Sequence, residues 1–180
     1  GTDEWSHFLH GPEGNAVAGD RHVAPPRRLR WVASPRWCRS HEVPTSVQAV
    51  VTAGGRIFTI FDEGATGIYK KLPQRCRLVA RDAYNGMLLW KVPMQDWQPE
   101  FGTGVGNRWH IHHTIPRRLV AHGDRVYVTL RFLHSPVSVL DAATGTVLVE
   151  ALPGTRGTDE MLLADGILVQ VRGLGTEDLL

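Results

Sequence analysis

The feature that most restricts how this chain folds is a recurring pair of short apolar runs separated by a glycine-containing turn. "AVVTAGGRIFTIFD" (49–62), "RLVAHGDRVYVTL" (118–130) and "MLLADGILVQV" (161–171) each read as a strand, a tight turn and a strand of alternating or β-branched character. A second kind of turn follows the first two copies. "LVARDAYNGMLLW" (78–90) and "SVLDAATGTVLV" (138–149) both set Asp-x-x-x-Gly between strands, through Asp82 and Gly86 and through Asp141, Thr144 and Gly145. Asn85-Gly86 suits the positive backbone angles of a tight hairpin, flanked by strands at 78–82 and 87–92. Asp82 can accept N–H bonds from the residues after it, and Trp90 is a large flat side chain that must be buried against something.

The unit is therefore four strands, and four-stranded units recurring every ~40 to 50 residues mark a β-propeller, whose twisted antiparallel blades surround a central channel. No stretch combines a helical period with matching caps. The expected fold is all-β, a β-propeller of four-stranded antiparallel blades with about two and a half blades present, short of the roughly four to eight that close a ring. Boundaries follow as a segment at 1–46, a blade at 47–94, an inserted loop at 93–116, a blade at 117–154, a partial blade at 159–172 and a truncated end at 173–180. Because the chain opens on Gly1 and stops at Leu180 just after a strand-like run, a piece of something longer is expected, with missing blades supplied by that longer chain or by further copies. A β-sandwich with Trp90 in its core is the competing arrangement.

The pattern Ala-x-Asp-x-x-x-Gly-x-x-x-Trp formed by Ala80, Asp82, Gly86 and Trp90 resembles the tryptophan-docking motif of the quinoprotein-type propellers, the pyrroloquinoline quinone (PQQ) repeat family. The resemblance implies that the tryptophan of one blade packs onto the turn of its neighbour. Asn85 stands where that family usually has Thr. The second copy keeps Asp141, Thr144 and Gly145 but has Val139 for Ala and Val149 for Trp, which implies weaker docking. "WSHFLHGPEGNAV" (5–17) and "PPRRLRW" (25–31) are similar to the segment by which such propellers cross their base before the first blade strand.

Three functions are implied by the resemblance. The expected one is a non-catalytic scaffold that presents face loops to a protein partner or small ligand, as the outer-membrane assembly scaffold of the same family does. The second is a PQQ- and calcium-dependent alcohol or sugar dehydrogenase, with the quinone in the channel and an Asp as base; neither the family's adjacent cysteine pair nor a calcium-ligand run occurs here. PQQ and calcium are thus expected only in a complete propeller, and no catalytic residue is nominated. The third is a recognition or sensor propeller fused to a further catalytic domain. By the same analogy the setting is bacterial and periplasmic or otherwise extracytoplasmic.

Candidate functional residues lie where the repeat is interrupted, since propeller strands are occupied with packing. In "SPRWCRSHEVP" (34–44), Arg36, Trp37, Arg39 and His41 form a candidate ligand or partner surface, with Trp109 in the loop 93–116. In the same loop His110 and His112 project to one side of an extended run and His113 to the other, so a metal would need a third ligand from a distant residue such as His41, Glu42 or Glu100. Hydrogen-bonded surface histidines are the simpler role for all three. Trp97, in this loop, is expected to tolerate truncation far better than Trp90.

Arg27, Arg28, Arg30, Arg36 and Arg39 surround Trp31 and Trp37, a mixture able to bind nucleic acid, but a formal net charge of only +2 favours arginines stacked on tryptophans along a strand edge. Nucleic acid is accordingly not an expected partner. No apolar run is long enough for a membrane-spanning helix. Cys38 and Cys76 lack C-x-x-C spacing, so no metal or redox motif is present, and a disulfide and separate thiols both stay open.

Overall fold

The computed structural model describes residues 3–20, 25, 27–35, 46–64, 74–97 and 114–172, and from Val47 onward its alternating apolar runs become β-strands. The strands are β1 (Val47–Ala53), β2 (Arg56–Asp62), β3 (Cys76–Asp82), β4 (Leu88–Pro93), β5 (Leu119–His122), β6 (Arg125–Thr129), β7 (Val137–Asp141), β8 (Val147–Val149), β9 (Thr158–Ala164) and β10 (Ile167–Arg172). They form two four-stranded antiparallel sheets, β1-β2-β3-β4 and β5-β6-β7-β8, and an antiparallel hairpin, β9-β10. Among the described residues there is no α-helix, only a 3-10 turn at Ile115–Arg118, and no helix long and apolar enough to cross a membrane. The described residues do not make a closed ring.

The middle sheet is covered on both sides. Its Leu119, Ala121, Val126, Val128 and Leu140 share one core with Val51, Phe58, Ile60, Leu78 and Trp90 of the first sheet. Its Val120 and Val137 pack in a smaller cluster with Met161 and Leu163 of β9. That double burial is why β5 and β7 show almost no polar alternation, as in sheets covered on both faces. The outermost surfaces stay open: Ile167, Val169 and Val171 of β10 are 66%, 48% and 56% exposed. The first strand of every unit, β1, β5 and β9, lies at a sheet edge, and β5 packs beside both β1 and β9.

Two sequence expectations are corrected. Of Asn85-Gly86 only Gly86 takes a positive φ (77°), in a turn that runs from Asp82 to Gly86. Asp82 heads this bend as expected, its Oδ1 accepting the N–H groups of Tyr84 (2.8 Å) and Asn85 (2.9 Å), and the latter bond holds Asn85 within the capped turn. Trp97 is no tolerant loop residue. Its ring is 1% exposed, its Nε1–H donates to Gln48 Oε1 (2.7 Å) and it meets Phe132 edge-to-face at 5.7 Å, so its truncation belongs among the large core losses. The chain turns back after β4 and lays this indole beneath β1.

Arg118, expected at the start of a strand, instead ends the 3-10 turn and is buried. Its Nη1 donates to the Phe132 carbonyl (2.5 Å), its Nη2 pairs with Asp159 of β9, and its guanidinium lies 4.3 Å from the Phe132 ring centre. Burial lowers its pKa from the ordinary arginine value while Asp159 opposes that shift. A buried arginine thus ties the middle sheet to the hairpin.

Candidate functional site

Two tryptophans meet two glycines in one geometry. Trp90, on β4, lies flat against Gly145, where a Cβ would fall 2.6 Å from indole Cδ2, and its Nε1–H donates to the Ala142 carbonyl (3.1 Å). Trp31 lies in the same way against Gly86, where a Cβ would fall 2.5 Å from Cδ2, and its Nε1–H donates to the Ala83 carbonyl (3.1 Å). In both pairs the donor precedes its acceptor by 52 residues. Glycine is required at both positions twice over, by the overlap and by φ of 77° and 74°.

The aspartates shape the receiving turns. Asp141 Oδ1 accepts from Ala143 N–H (3.0 Å), Thr144 N–H (2.8 Å) and Thr144 Oγ1–H (2.9 Å), and Gly145 N–H donates to the Asp141 carbonyl (2.9 Å). The Thr144 hydroxyl, then these N–H groups, hold the Asp141 carboxyl below its ordinary value. Asp82 builds the equivalent turn without a hydroxyl, and Asn85 Oδ1 accepts the Met87 N–H (2.8 Å) much as Thr144 Oγ1 accepts that of Thr146 (3.2 Å). Ala80 is fully buried in β3 opposite Trp90. Val149, standing where a tryptophan would dock onward, is 37% exposed.

For the described part of the arginine and tryptophan cluster, the expected strand edge with Arg30 stacked on Trp31 is corrected. Residues 27–35 form no strand, and the Trp31 ring lies against Gly86. Arg30 instead lies 3.6 Å from the ring centre of Tyr84 and donates to the Tyr84 carbonyl (2.9 Å). Arg36, Trp37, Arg39, His41, Trp109, His110, His112 and His113 fall outside the described residues, as does Cys38. Among the described residues no group of three His, Cys, Asp or Glu is placed to hold a metal ion.

The structure also assembles a site that sequence reading missed. Thr52, Ala121 and Leu163 occupy one position in β1, β5 and β9, each the second residue before a two-residue turn. As edge residues they point N–H groups away from their own sheets, and an edge N–H needs an outside acceptor. Three consecutive residues provide it: the Trp5 carbonyl for Thr52 (2.7 Å), the Ser6 carbonyl for Ala121 (2.9 Å) and the His7 ring Nε2 for Leu163 (2.9 Å). Trp5 N–H also donates to Thr52 Oγ1 (2.8 Å). His7 is 5% exposed, and its Nδ1 lies 2.7 Å from Ser6 Oγ.

Three residues further on, His10 sits between Asp3 (2.9 Å) and Glu13 (2.9 Å), which raise its pKa, Asp3 most. The two histidines therefore shift in opposite directions, since burial pushes His7 below its ordinary value. No protein-family model matches the chain, and no curated protein matches it.

Proposed function

We propose that the chain is part of a β-propeller-type scaffold, whose units are joined by docked tryptophans and whose face loops hold a protein partner or small ligand. The observation that supports this reading is the twofold repetition of one contact, Trp31 on Gly86 and Trp90 on Gly145, together with first strands that sit side by side at their sheet edges. The Trp90 contact fixes the first sheet against the middle one, the Trp31 contact fixes the preceding segment against the first sheet, and both leave the loops free to vary.

Binding is favoured over catalysis because the ionisable side chains of the strand ends and turns are engaged in building the fold. Asp82 and Asp141 cap turns, Arg118 and Asp159 join two units, and Asp62 accepts the N–H groups of Gly64 and Arg75. Calcium takes roughly six to eight oxygen ligands, and the two carboxylates that converge among the described residues, Asp3 and Glu13, are both engaged by His10. Calorimetric titration of PQQ, with and without calcium, into the 180-residue chain is expected to give no saturable heat. Saturable, calcium-dependent binding would overturn the scaffold reading in favour of a dehydrogenase.

A further inference from the structure

We propose that His7 is an acid-sensitive latch: neutral, it fastens the β9-β10 hairpin to the two sheets, and protonated, it lets that hairpin go. The inference starts from three equivalent amides with unequal acceptors. Thr52 and Ala121 donate to main-chain carbonyls, which do not titrate, whereas Leu163 donates to an imidazole nitrogen, which does. A main-chain N–H can only donate, so Nε2 must be unprotonated and the ring hydrogen lies on Nδ1, facing Ser6 Oγ at 2.7 Å. Adding a proton to Nε2 sets two donors 2.9 Å apart and leaves a buried N–H without an acceptor.

The surroundings of His7 set the direction. Burial is the dominant influence and disfavours the cation; Glu13 opposes it and His122, at the end of β5, reinforces it. Arg117 and Glu160, from the 3-10 turn and β9, face the same half-open cleft of about 190 Å³ and are paired with each other at 2.9 Å. Solvent protons reach the ring through this cleft. Because the folded-state pKa lies below the ordinary value near 6.5, the latch is fully closed above that value and loosens as pH falls below it.

What the latch holds is separable. The hairpin has two strands where the other units have four, and it meets the middle sheet through a small cluster around Val120, Val137, Met161 and Leu163. Its other ties include the ion pairs Arg118–Asp159 and Arg117–Glu160 and, at its start, the bond from Thr158 N–H to the Ser135 carbonyl (3.3 Å). None of these involves a histidine.

The test is amide hydrogen exchange of the 180-residue chain, followed by NMR across about pH 7.5 to 5, which spans histidine titration. Protection of Leu163, corrected for intrinsic rates, is expected to fall on acidification by up to about tenfold per pH unit, the limit for one proton. Thr52 and Ala121 should keep theirs and so act as internal controls. His7→Gln, which retains an acceptor but does not titrate, should make Leu163 protection independent of pH; His7→Ala should lower it at every pH. Pale or absent dependence at Leu163, or a parallel loss at all three amides, overturns the latch. Should the variants not fold, the His7 ring shifts of the unmodified chain decide: a midpoint at or above 6.5 overturns it and a lower one supports it.

Discussion

Trp31 and Trp90 make the same contact from different supports. Trp90 belongs to β4, is 8% exposed and has Phe58 5.8 Å behind it. Trp31 is half-buried and rides on residues 27–35, which belong to no sheet and leave Leu29 and Val32 82% and 79% exposed. The comparison separates two things that one docked tryptophan alone would confound: the geometry comes from the receiving turn, while the energy depends on what stands behind the indole.

That separation can be broken by measurement. Trp90→Ala is expected to cost about 3–5 kcal/mol in denaturant unfolding, as aromatic truncations in a core do, and Trp31→Ala about half as much. Equal losses would mean that the supporting sheet contributes nothing. Next in size, Gly145→Ala should cost about 2–3 kcal/mol and Gly86→Ala about 1–2, because the indole over Gly86 can move with its segment while the one over Gly145 is held in a strand. The reverse order would place the strain in the turn backbone rather than in the overlap.

Asn85→Thr tests the turns themselves. It gives Asp82 the hydroxyl that Asp141 already has, and a gain of up to about 1 kcal/mol is expected. The smallest effect concerns acid. The Asp141 carboxyl is held below its ordinary value of 3.8, so its stabilisation is complete above that value and is lost as pH falls below it. In acid unfolding, Thr144→Val should weaken this dependence because it removes the bond that contributes most.

The strand pairs were legible in the sequence because period-2 alternation and Gly-containing turns are local signals, and the hairpins of 49–62, 118–130 and 161–171 all form, with β5 beginning one residue late at Leu119. The middle sheet kept its identity despite burial on both faces because its turns still marked it. Trp31 was read among its arginines, although Leu29-Arg30-Trp31 has the spacing of Leu88-Leu89-Trp90 and its distance to the turn at Gly86 repeats that of Trp90 to Gly145. Trp97 was misjudged because burial in a loop depends on where the chain returns, and its partner Gln48 lies 49 residues away. His7 carried no local signal at all, since its role depends on an amide 156 residues later.

The docking contact has a consequence for how the order of units is specified. Each indole recognises a missing methyl and a main-chain oxygen, features that the receiving turns have in common, so the contact holds no address by which one unit could tell its proper neighbour from another. Residues 5–7 read mostly the same kind of feature, the main-chain N–H groups of Thr52, Ala121 and Leu163, and add one side-chain contact, from Trp5 N–H to Thr52 Oγ1. A unit's place beside residues 5–7 is thus marked in its own side chains only at Thr52, and exchange of the other two units would leave the donors that these residues meet unchanged.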